Sequence, residues 1–243
     1  FFLWHTYFSD VFDRKGKSGF DIVIGNPPYL LCQPSNTDEN LLNFYKENFS
    51  VASYKIDLFH LFFEEGIELL KSNGILSYIT PNTYLTNKYI KPLREFILDN
   101  CDVLRLVLHD KVFESAQVDN ATIVLKKCKQ KNHEVIIEKC EKFVYRIKGQ
   151  ILQNQWENDL DKVFNVEKKF SIESEKSLGD IASVTFGLQT ADKKTFVKES
   201  NQGSGWEPCY TGKNVNKYFL PNPELFFLNN PAKVKAGGSW DMN

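Results

Sequence analysis

The turn Asn26-Pro27-Pro28-Tyr29 follows an apolar run, Phe20-Asp21-Ile22-Val23-Ile24-Gly25, and its residue types can do chemistry together. Each proline fixes φ and lacks an N–H, so the carbonyl of Pro27 is left out of local helix or ladder bonding and is held at a fixed angle. The side-chain oxygen of Asn26 is a second acceptor beside it. Two converging acceptors suit a substrate amine that donates two hydrogen bonds. Tyr29 adds a flat face, so a planar heterocycle with an exocyclic amine, such as adenine, could stack on the ring and place its amine on both acceptors.

The elements that must position this turn can be read around it. A short β-branched run ended by glycine is a buried parallel strand, and Asn-Pro-Pro turns the chain out of the sheet at the strand's C-terminal end, the edge where open α/β sheets bind ligands. Residues 1–19 hold the aromatic cluster Phe1, Phe2, Trp4, Tyr7, Phe8 and Phe12, expected to pack on the sheet. Beyond Tyr29, a polar stretch from Gln33 to Asn40 and an amphipathic piece from Leu41 to Phe49 lead to a helix over Asp57 to Lys71. In that helix Leu58, Phe59, Leu61, Phe62, Leu69 and Leu70 face inward and Glu64, Glu65 and Glu68 face water. Asp57 caps its start, Gly74 stops it, and His60 is a packed core histidine.

A strand over Ile75 to Thr80, a helix from Lys88 to Asp99 with Pro92 in its first turn, and strands over Val103 to Leu108 and Ala121 to Leu125 complete the pattern of a doubly wound sheet's second half. The alternation in Val135-Ile136-Ile137 and Phe143-Val144-Tyr145 predicts a hairpin leading out of this domain. The motif strand is expected to have an unpaired apolar edge, and such an edge predicts dimerisation of this chain alone.

The 243 residues carry a formal charge of −1, with no apolar run of membrane-spanning length, no cleavable leader and five scattered cysteines. These features exclude a disulfide frame and a zinc site, and place the protein in the cytoplasm without a membrane partner. Residues 126–150 are rich in Lys and Arg, including Lys126, Lys127 and Lys129, the one electrostatic sign of a polyanion partner. The only methionine is Met242, which predicts a fragment of a longer product.

Phe-Asp-Ile-Val-Ile-Gly-Asn-Pro-Pro-Tyr resembles the motif of adenine-specific DNA methyltransferases of the TaqI-like and type IIG restriction-modification group. Gly74-Ile75-Leu76-Ser77-Tyr78-Ile79-Thr80-Pro81-Asn82 is similar to a later segment of the same family. The resemblance implies transfer of a methyl group from S-adenosylmethionine to a flipped adenine of double-stranded DNA. Asn26, Pro27 and Pro28 would form the catalytic turn, and Tyr29 and Phe113 would stack on the base. It also implies a fold: an α/β chain holding the C-terminal half of a Rossmann-like methyltransferase sheet (1–128), a basic hairpin and linker (129–176), and the start of a mixed α/β target-recognition domain (177–243). In that last part Gln189, Thr190, Lys193, Lys213 and Asn214 have the chemistry to meet base edges or phosphates. The family's glycine-rich cofactor turn is absent from this sequence, so the donor is expected to be held mainly by residues upstream. The rival readings are a protein-glutamine methyltransferase, which also uses Asn-Pro-Pro-Tyr, and a catalytically silent DNA-binding subunit of a defence system.

Overall fold

The computed structural model describes residues 3–53, 55–110, 119–130, 132–166, 176, 178–182, 192–217 and 219–229. The chain divides into two compact units, Phe1–Phe170 and Ser171–Asn243.

The first unit is built on a mixed six-stranded sheet. In chain order its elements are α1 (Trp4–Tyr7), α2 (Ser9–Phe12), β1 (Phe20–Gly25), α3 (Glu39–Asn48), α4 (Leu58–Glu68), β2 (Leu70–Pro81), α5 (Lys91–Asn100), β3 (Asp102–His109), β4 (Asn120–Lys126), β5 (Glu134–Glu141), β6 (Val144–Leu152) and α6 (Asn154–Glu157). The strand order is β1-β2-β4-β3-β5-β6. β1 and β2 are parallel, as are β3 and β5, and the other neighbours are antiparallel. One face packs on the helices: Phe59, Phe63 and Ile67 of α4 and Leu93 and Ile97 of α5 meet Leu76, Leu106, Ile123 and Leu125 of the sheet in one core. Trp4, Phe8 and Phe12 close on the ring of Phe20 at 6.0, 5.3 and 5.4 Å, so the early aromatic cluster anchors the first strand.

The expected strands and helices are present, with three differences of physical interest. Helix α4 ends at Glu68, because Leu70 is already paired with Phe20, and the chain reaches Gly74 as part of β2 through Asn73 at φ +64°. Gly74 is therefore not a helix stop. Glu64 is buried; its carboxylate accepts the backbone N–H groups of Ser50 and Val51 at 2.9 and 3.0 Å, which satisfies a charge that would otherwise be costly to bury. Phe62, read as a core position, is exposed.

The hairpin read from residues 126–150 is formed by β5 and β6, and it extends the same sheet through the parallel pairing of β5 with β3. The sheet thus runs across the boundary drawn at residue 128. At the chain's entry to β1, Gly19 has φ +111°, and a Cβ there would lie 2.5 Å from the amide nitrogen of Lys71, so only glycine fits.

The second unit contains α7 (Lys193–Phe196), β7 (Val197–Lys198), β8 (Trp206–Cys209) and β9 (Leu225–Leu228), with the strands in antiparallel order β7-β9-β8 around buried Phe196 and Phe227.

Candidate active site

β1 delivers the turn to the end of the sheet and, among the described residues, pairs only with β2, so Asn26 lies at a sheet corner. Its carboxamide is exposed, and neither it nor the carbonyl of Pro27 is engaged by another described residue. Asn26 is exposed and Pro27 is buried, and both line the hollow toward α4. Tyr29 is pinned at its far end, where the hydroxyl donates to the carbonyl of Ile79 at 3.2 Å, and its ring meets Phe59 edge-on at 6.4 Å. Partial burial pushes the Tyr29 phenol above its usual range, so it is neutral at physiological pH.

The turn is held by a contact that sequence reasoning saw only as a helix cap. The Asp57 carboxylate accepts the N–H of Leu30 at 3.0 Å, and the N–H of Leu58 donates back to the carbonyl of Leu30 at 3.0 Å. The N-terminus of α4 is thereby stitched to the residue after Tyr29. Within the same capping box the Asp57 N–H reaches Nδ1 of His60 at 3.4 Å. His60 is buried with Nε2 unpartnered, and burial lowers its pKa to about 4, so it is a neutral core histidine as expected. Asp57 itself is raised by burial.

Two hollows flank the strand end. One, of about 430 Å³, lies toward α4 and is lined by Asn26 and Pro27 with Trp4, Phe62, Glu65 and Tyr78. The other, of about 1000 Å³, opens over the sheet and reaches from Ile24 and Gly25 across Ser77 and Thr122 to Phe143 and Tyr145, with Asp110 and Asp119 also in its lining.

The remaining residues singled out by sequence fall in different places. Phe113, Gln189 and Thr190 lie outside the described residues. Lys127 is half-buried, and its ammonium donates to the carbonyls of Glu68 and Leu70 at 3.0 and 2.7 Å, closing the C-terminal end of α4. Lys126 ends β4, half-buried and paired in register with Ile75, and exposed Lys129 stands 4.0 Å from Glu157. In the second unit Lys193 and Lys213 are exposed. Asn214 spends its side-chain oxygen on the N–H and hydroxyl of Thr211, at 3.1 and 2.6 Å.

Residues 1–113 match the family model of the Eco57I restriction-modification methylases. The type II restriction enzyme and methyltransferase RM.Eco57I of Escherichia coli is 26% identical over 77% of this chain and 20% of its own length. The type II methyltransferase M.BstVI of Geobacillus stearothermophilus is 32% identical over 44% of this chain and 18% of its own. The chain thus spans about a fifth of the length of these curated relatives. Among solved structures, the type IIL restriction-modification enzyme MmeI in complex with DNA superposes with a TM-score of 0.54 at 13% identity, over 85% of this chain and 29% of that one, a likeness of fold.

Proposed function

With residues 1–113 belonging to the restriction-modification methylases, we propose that this chain carries the target-base half of an adenine-specific DNA methyltransferase of the type IIG kind, followed from about residue 177 by the opening of a DNA target-recognition domain. The observation that carries this reading is the corner of the sheet. Asn26 and Pro27 carry two acceptors that no other described residue engages, beside a tyrosine ring fixed by the Ile79 carbonyl.

An exocyclic amine seated on those acceptors donates both its hydrogens. Electron density rises on the nitrogen, and the lone pair is turned out of the ring plane toward a methyl donor. Tyr29 supports the ring face, and such stacking returns about 1–3 kcal/mol per base against the few kcal/mol that extrusion from the duplex costs. S-adenosylmethionine, the donor implied by the family, supplies an electrophilic methyl group. The hollow toward α4 fits one apolar side of such a donor, with Phe62 and Tyr78 in its wall and the Glu65 carboxylate available to a positive charge. The remaining contacts to the donor would come from residues outside this chain.

The test is the Asn26→Ala variant of the intact protein, assayed for methyl transfer and DNA binding side by side. Transfer is expected to vanish while affinity stays within a few-fold of wild type. Parallel loss of both would overturn the assigned role.

A further inference from the structure

The two residues that join β5 to β6, Lys142 and Phe143, both have positive φ, +49° and +64°. Two-residue hairpin loops of this kind are ordinarily filled by Asn-Gly or Asp-Gly, and a bulky aromatic side chain there is a steric outlier. Nothing within the described fold compensates for it. The Phe143 ring is 86% exposed and stacks on no described ring. A strained residue that packs on nothing is a candidate for a role outside the fold.

The strand that follows strengthens the case. Residues 142–148, Lys-Phe-Val-Tyr-Arg-Ile-Lys, hold three cations and no acid. The neighbouring Lys139 is satisfied by Asp110 at 3.3 Å and Glu141 at 2.7 Å, whereas Lys142, Arg146 and Lys148 enter no salt bridge among the described residues. Tyr145, 58% exposed, stands edge-on to His109. Lys142, Phe143 and Tyr145 line the far wall of the hollow of about 1000 Å³ whose near wall includes Gly25, the residue before Asn26. Behind Lys139, whose hydrogen bond is the larger cause, Arg146 and Lys148 help to lower the pKa of the Glu141 carboxylate without closing a salt bridge to it. Exposed aromatics interleaved with such cations are the chemistry of a surface that stacks on bases and neutralises phosphates.

We propose that the tip of the β5–β6 hairpin is a DNA-contacting element in which the Phe143 ring stacks on an unstacked base across the hollow from the catalytic turn while Lys142, Arg146 and Lys148 meet the flanking phosphates. This assignment rests on the DNA reading given above and adds to it a residue set that the motif does not contain.

The experiment uses the intact protein on a duplex that it methylates, comparing wild type with Phe143→Gly, Phe143→Trp and a triple Lys142→Gln, Arg146→Gln, Lys148→Gln variant. Glycine removes the ring and also relieves the left-handed backbone, so the melting temperature should hold or rise while the Kd weakens about 5- to 150-fold with an unchanged salt slope. Tryptophan should retain the affinity. The triple variant should lower the slope of log K against log salt by about 3. Wild-type affinity and slope in both the glycine and the triple variant, on DNA that the wild type methylates, would overturn the hairpin assignment and leave the methylation reading standing. A fall in melting temperature on Phe143→Gly would assign the ring to packing instead. Altered self-association at unchanged DNA affinity would assign the surface to a protein partner, and failure of the wild type to bind DNA would remove both readings.

Discussion

β1 and β6 are the two edges of one sheet, and among the described residues neither has a further strand beside it, but they stand in different company. β1 exposes Ile22 at 65% and Ile24 at 78%, and its one charged side chain, Asp21, is engaged by Lys71 and Arg14. β6 exposes apolar residues as well, but Arg146 and Lys148 stand among them, and Phe143 and Lys142 occupy its turn. An apolar edge whose one charge is neutralised is a template for another strand, whereas a cationic one rejects its own kind. The contrast matches the proposed division of work between the two ends of the sheet: chemistry where β1 stops, and contact with a polyanion where β6 begins.

The comparison can be broken in several ways. Removing the chemistry from the β1 end should leave the β6 end's grip intact, so Asn26→Ala is expected to lower transfer about 10²–10³-fold or more, as loss of one preorganised hydrogen-bonding group does, in a single-turnover assay with saturating DNA. An equal fall in binding would mean that the two ends do not divide the labour.

Acid should loosen the β1 flank before the hairpin. The folded pKa of His60, about 4, lies below the unfolded value of 6.5, so the unfolded chain binds the proton first. Stability is complete above pH 6.5, falls as pH drops toward 4 by about 3 kcal/mol, and then levels. Denaturant midpoints of wild type and His60→Gln across that window check the size. Hydrogen exchange checks the place, because α4 should lose protection earlier than β5 and β6.

Glu64→Gln keeps one acceptor for the Ser50 and Val51 amides and loses the charge, and about 1–2 kcal/mol of destabilisation is expected by urea unfolding. An unchanged midpoint would show that the buried carboxylate is not needed to hold the segment before α4.

The smallest expected effect concerns the edge itself. Residues 1–243 expressed alone should self-associate through β1, and Ile24→Lys should weaken that association about tenfold in sedimentation equilibrium. A substitution on β6, Ile147→Lys, should leave it unchanged.

How much of this was legible in the sequence follows from the range of the interactions. The motif strand, its turn and the alternation of the hairpin are local signals, and each was readable from a few neighbouring residues. The roles of Glu64 and Lys127 were not, because their partners lie 13 or 14 residues away for Glu64 and 57 or 59 for Lys127. A glutamate at helical spacing and a lysine in a basic run look solvated until the fold supplies buried amides and carbonyls. Helix α4 ended early for the same reason, since the pairing of Phe20 with Leu70 is set by the sheet. Asp57 was readable as a cap, but its hold on Leu30 depends on where the catalytic turn comes to rest. The strain at Phe143 is not legible in the sequence, because Lys-Phe carries none of the Asn or Gly that usually marks such a turn.

The most direct test of the central claim is to incubate the intact protein with unmethylated DNA and S-adenosylmethionine and to map the modified bases. The account predicts methylated adenine at one recurrent sequence and unmodified DNA from the Asn26→Ala variant. A folded protein that binds the cofactor yet methylates only protein amides, or leaves all DNA unmodified, would contradict it.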